Sequence, residues 1–196
     1  MHKALIGLML ALSTAFSADV TLIEKGTSRI CVVLPANPSK HLLWAAEDLS
    51  TYLGKISGAT VPVTNTPPAG LLPVYAGTAP EKLPMTVKSE YGDAYLIDIN
   101  PTRIVLQGES DRAVYYAAVS LLHTLGVRWY APGDLGEVVP KKASVKVPAG
   151  RTESAPHFQS RHFWAEERWS LRNRMGGPAM AQGHGFHGLM EAGKHF

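Results

Sequence analysis

The chain has one cysteine, Cys31, in 196 residues, so it can form no internal disulfide, and its stability has to come from a packed core. Cys31 sits in the apolar run 30–34, where a small buried hydrophobe is the expected role. Charge is also scarce: 18% of residues are Asp, Glu, Lys or Arg, and the formal net charge is +3. The basic residues are scattered and form no stripe, which argues against a nucleic-acid partner. Long apolar runs are missing beyond the first residues, and a spanning helix needs about 20 apolar residues, so no membrane span is expected. Val and Ile are absent from Arg151 to Phe196, while five of the eight histidines and two of the four tryptophans fall there. Such a tail does not readily build its own core.

What is present is globular: 45% hydrophobic residues, with 18 Gly and 14 Pro to punctuate them. Residues 1–18 read as a signal peptide, with Lys3, an apolar run over 4–12 and small residues at Ala15, Ser17 and Ala18. A secreted or periplasmic protein is therefore expected. Strands are predicted at 20–23, 29–34, 61–64, 72–76, 94–99, 103–107, 127–130 and 144–147, with the turn Asn100-Pro101-Thr102 making a hairpin of the fifth and sixth. Between them, Leu42, Ala46, Leu49, Leu53 and Ile56 recur at helical spacing, starting after Ser39 and closed by Gly58. A second helix begins at the cap Ser110, carries Val114, Ala117, Leu121 and Leu125, and closes at Gly126. The fold class is α/β (α+β): a mixed sheet with two helices on one face. The predicted boundary lies between Pro148 and Pro156, giving a domain at 19–150 and a separate segment at 151–196, with one more strand over 157–163 and a short helix over 167–175.

Two stretches carry a family resemblance. One is Ala45-Ala46-Glu47-Asp48-Leu49-Ser50-Thr51-Tyr52-Leu53-Gly54-Lys55-Ile56-Ser57-Gly58-Ala59 followed by Val61-Pro62-Val63; the other runs from Gly108 to Ala117, continues as Leu125-Gly126-Val127-Arg128-Trp129-Tyr130 and reaches Val139-Pro140. Together they resemble the N-terminal domain of bacterial alpha-glucuronidases and the related domain that precedes the barrel in beta-hexosaminidases. The pattern looks closest to a group of secreted bacterial proteins that includes endo-acting N-acetylglucosaminidases. The resemblance implies an accessory domain at 19–150, followed at 151–196 by the start of a truncated (β/α)₈ barrel. A full barrel needs about 250 residues and carries its chemistry on the loops after its strands. The implied partners are a glycan or oligosaccharide substrate and a missing C-terminal catalytic barrel.

Candidate site residues follow. Pro156-His157-Phe158-Gln159-Ser160-Arg161 resembles a first barrel strand ending in an arginine that donates to sugar hydroxyls, a task suited to the planar guanidinium fork. The alternative for Arg161 is a surface pair with Glu166 or Glu167. Trp164 and Trp169 could stack on a sugar ring, with packing between the two parts as the plainer role. His184 and His187 stand in Gly183-His184-Gly185-Phe186-His187-Gly188, where glycines leave imidazoles open to a ligand. No cofactor is implied, and a metal is not expected, because these histidines lack cysteines and a clear carboxylate partner. No catalytic pair is assigned: Glu166 and Glu167 are adjacent, whereas glycoside cleavage places two carboxylates roughly 5–9 Å apart, so they read as helix-start charges. Glu47 and Asp48 are expected on the solvated face of the first helix. The expected function is the accessory part of a secreted glycoside hydrolase, inactive alone; the alternative is a stand-alone exported glycan-binding module.

Overall fold

In the computed structural model, which describes residues 19–162 and 165–177, the two predicted helices form where their signals lie. The chain opens with β1 (Asp19–Glu24), β2 (Thr27–Ser28) and β3 (Ile30–Val33), then α1 (Lys40–Ser57). The Ser39 hydroxyl accepts from the Leu42 amide at the start of α1, and Gly58 ends it at φ 78°, a left-handed conformation that glycine takes without a Cβ clash. Next come β4 (Val63–Thr64), β5 (Leu72–Ala76), β6 (Tyr95–Asn100) and β7 (Arg103–Gly108). Ser110 caps α2 (Asp111–Thr124) by accepting from the Ala113 amide. Gly108 admits the start of α2: a Cβ there would lie 2.6 Å from that of Ala113 and 2.7 Å from the Val114 nitrogen. Then follow β8 (Arg128–Trp129), β9 (Glu137–Val138), β10 (Val145–Pro148), β11 (Gly150–Ser154) and α3 (Glu167–Arg172).

The main sheet is mixed and six-stranded, in the order β11-β6-β7-β5-β3-β4. Pairs β3–β4, β3–β5 and β5–β7 are parallel, and β6 pairs antiparallel with β7 and with β11. Side chains alternate across it. Ile30, Val32, Val74, Ile97, Ile104 and Leu106 enter the core shared with the helices, where α1 packs on α2 and on β3 and β5, and α2 packs on β6 and β7. Cys31, Val33, Leu96 and Val105 are buried on the opposite side, where Gln107 exchanges hydrogen bonds with the backbone of Leu83 at 2.9 and 2.7 Å. A three-stranded sheet β10-β1-β2 and a two-stranded pair β8-β9 flank it.

The fold class is therefore an α/β layer with a mixed sheet, as the pattern predicts. Two local expectations differ. The stretch 150–154, where composition changes, is the antiparallel edge strand β11, paired from Gly150 with Ile99 to Ser154 with Tyr95. The expected strand over 157–163 is reduced, within the described residues, to one bridge between Arg161 and Gly176.

Candidate functional site

The segment after β11 returns across the helices and is held by ion pairs to buried carboxylates. Asp48 is three residues after Ala45 and four before Tyr52, so α1 carries it on the same buried face. It is 1% exposed, which corrects the expectation of a solvated Asp48. Its carboxylate accepts from the Tyr115 hydroxyl at 2.5 Å, from Arg168 Nη2 at 2.6 Å, and from Arg172 through Nη2 at 2.8 Å and Nε at 3.0 Å. Two guanidiniums and a phenol thus replace the water that a buried carboxylate loses. Glu47 does face solvent, and pairs with Arg168 at 2.8 Å.

Arg172 also lies over the rings of Tyr52 and Trp129, at 5.2 and 5.4 Å from their centroids. The Trp129 indole N–H donates to the Tyr52 hydroxyl at 2.7 Å, and that hydroxyl donates to Glu137, which also binds Lys55. Burial and then the Asp48 charge raise the Tyr115 pKa well above the ordinary phenol range. Burial works against charged Arg172, but its hydrogen bonds and attraction to Asp48 outweigh this and raise its pKa. Burial opposes ionised Glu137, yet hydrogen bonds from Lys55 and Tyr52 leave its pKa lowered.

A second buried carboxylate, Asp93, is fully enclosed in front of β6. Arg112 of α2 donates to one of its oxygens at 2.9 and 2.6 Å, and Arg161 donates to the other at 2.6 Å. Arg161 further donates to the carbonyls of Phe158 at 2.7 Å and Arg174 at 3.1 Å, and its backbone exchanges hydrogen bonds with Gly176 at 2.9 and 3.0 Å. The Tyr116 hydroxyl donates to the Met175 carbonyl at 2.7 Å. Burial, then the charge of Asp93, pushes the Tyr116 pKa up to about 12. A cavity of about 160 Å³ lies here, lined by Asp93, Tyr95, Tyr116, Pro156, Arg161 and Arg174.

Of the four substrate-contact candidates, Arg161 is placed at this cavity, with its side chain 17% exposed and paired to Asp93, not to Glu166 or Glu167. Trp164, His184 and His187 lie outside the described residues. Glu166 accepts from the Arg168 amide as the cap of α3, and Glu167 in its first turn pairs with Lys40 at 2.9 Å, in keeping with helix-start charges. Trp169 is buried in the core that joins α3 to the domain. Among the described residues, no group of three His, Cys, Asp or Glu side chains is placed to hold a metal ion.

The described fold occurs in a glycoside hydrolase. A family GH115 4-O-methyl-alpha-glucuronidase with specificity for decorated arabinogalactans superimposes with a TM-score of 0.57 and 15% identity, over 72% of this chain and 19% of that enzyme. Streptomyces plicatus beta-hexosaminidase aligns more loosely, with a TM-score of 0.49 and 16% identity, over 74% of this chain and 25% of that one. At these identities the likeness concerns fold alone. The chain spans about a fifth of the length of the glucuronidase. No protein-family model matches the chain, and a search of curated proteins finds no match.

Proposed function

We propose that this chain carries the non-catalytic N-terminal domain of a secreted glycoside hydrolase, and that the work of this domain is to seat the start of a catalytic barrel in the segment after β11. The observation that carries the reading is the use made of the buried carboxylates. Asp48 and Asp93 are taken up by Arg168, Arg172 and Arg161, all from the segment after β11, so the helical layer acts as a platform to which that segment is bolted. Acid–base cleavage needs one carboxylate free to donate a proton and another free to attack or to activate water. Carboxylates held by two guanidiniums each are poorly suited to either task.

In this arrangement Arg161 remains the proposed contact to glycan hydroxyls, together with Trp164, His184 and His187. Asp93 and the Phe158 carbonyl fix the plane of its guanidinium, as a preorganised sugar contact requires. The test is an assay of the 196-residue chain on aryl glycosides of N-acetylglucosamine and glucuronic acid, with the gene read downstream of the Phe196 codon. No turnover is expected, with a frame that continues into alternating strands and helices. Turnover that survives purification and is lost in Glu166→Gln would overturn the reading.

A further inference from the structure

Six of the nine arginines meet carboxylates: Arg29 with Glu24, Arg112 and Arg161 with Asp93, Arg151 with Glu153, Arg168 and Arg172 with Asp48. Among the described residues, Arg103, Arg128 and Arg174 have no carboxylate partner within ion-pair distance. Two of these three, Arg128 and Arg174, line one cavity of about 710 Å³ between the C-terminal end of α2, β6 and the β10–β11 corner. That volume suits a small-molecule site, typically about 300–1,000 Å³.

The chemistry of its wall is one-sided. Arg128, Arg174, His123, the already paired Arg151 and Tyr95, whose hydroxyl is bonded to Ser120 at 2.8 Å, supply its ionisable side chains, and among the described residues neither Asp nor Glu lines it. Arg128 spends its Nη1 on the carbonyls of His123 and Val127, both at 2.7 Å, which offsets the negative end of α2. Among the described residues, the Arg174 side chain makes one hydrogen bond, to the Ser120 hydroxyl at 3.3 Å, and the residue is exposed. It follows the C-cap of α3 at φ 57°, the left-handed position that usually holds glycine. Burial first, then Arg174 and Arg128, depress the His123 pKa to about 4, so both cations act on the same space. Hydroxyls of Ser120 and Thr124 and the apolar faces of Ile97, Ile99 and Val147 complete the wall. Saccharides offer both hydroxyls and C–H faces to such a surface.

We propose that this groove binds an oxyanion carried on a saccharide, a sulfate ester or a carboxylate, with Arg174 as its main ligand and Arg128 as the second. The saccharide part of the proposal rests on the glycan-related reading given above. Arg174 and Arg128 bind the anion edge, and the apolar wall receives the ring.

The experiment titrates the full chain at low salt with four probes: a disaccharide bearing one sulfate ester, its uronate counterpart, the neutral parent and sodium sulfate. Calorimetry gives affinity, and the His123 ring resonances report where binding occurs. Both charged disaccharides should bind and shift His123, more tightly than sodium sulfate. The neutral parent should not bind, and affinity should fall with added salt. Arg174→Gln should weaken binding by about tenfold or more, as expected for a lost charge-assisted hydrogen bond. Arg174→Lys should retain part of it, and both variants should melt like the parent chain. Equal binding of the neutral parent, sodium sulfate matching the charged disaccharides, or unchanged affinity in Arg174→Gln would each overturn the proposal. Failure of the charged probes without glycoside turnover defeats this site and leaves the domain reading standing; turnover defeats that reading whatever the probes do.

Discussion

The body at 19–154 and the segment at 156–177 are attached to the same core by different physics. The body is an apolar layer in which Leu49, Leu53, Val74, Ile104, Leu106 and Val119 are almost wholly enclosed. Among the described residues, the segment buries Trp169 and Leu171 in that core, packs Ala165 and Met175 against it, and adds arginines that reach Asp48, Asp93 and Glu137. Apolar burial is non-directional and tolerates small shifts. A buried ion pair fixes one geometry, and removal of one partner strands the other charge. The body should therefore fail as a unit, whereas the segment should detach locally.

The largest effect expected in the body comes from opening a cavity. Leu53→Ala should lower global stability by about 2–5 kcal/mol, seen as a lower denaturant midpoint with an unchanged slope. A loss confined to α3 would remove the contrast between the regions. A smaller effect, on pH dependence, is expected at the edge strand. Glu153 accepts from the amides of Thr86 and Val87, the Thr86 hydroxyl and Arg151. These contacts, led by the Val87 amide, pull its pKa down from 4.5 to about 2. The unfolded chain then binds the extra proton, so this contribution is complete above about pH 4.5 and is lost as pH falls toward 2. Glu153→Gln should flatten that part of an acid melting series; an unaltered profile would show that those contacts do not persist in solution. The smallest effect belongs to the exposed pair of Lys40 and Glu167, each more than half exposed. Lys40→Ala should change stability by less than about 0.5 kcal/mol, and added salt should shrink that further.

The body was legible in the sequence because its signals are local. Ser39 and Ser110 cap the two helices where expected, Gly58 and Gly126 follow them with positive φ, and the apolar alternation marks the main strands. β11 escaped because Gly-Arg-Thr-Glu-Ser has no apolar face; only its pairing with β6 makes it a strand. Asp48 escaped for a related reason. Its helical spacing places it between Ala45 and Tyr52, but its burial depends on Tyr115, Arg168 and Arg172, at least 67 residues away. A charge on the apolar stripe of α1 was the available signal, and it points to a distant partner. Arg161 was picked out by its place in a resembling motif, while its pairing with Asp93 is set by tertiary contacts that no local pattern contains.

Asp48 bolts α3 to a body that should be stable without it, and amide hydrogen exchange on the full chain can separate the two. In Asp48→Ala, Arg168 and Arg172 lose their shared buried carboxylate and keep only Glu47 and Glu137; breaking a buried pair costs about 3–5 kcal/mol. Amides of α3 and of 173–176 should lose protection by about a hundredfold or more, while those of Ile104, Val105 and Leu106 in β7 keep theirs. Equal loss at β7 and α3, or unchanged protection at both, would contradict this arrangement.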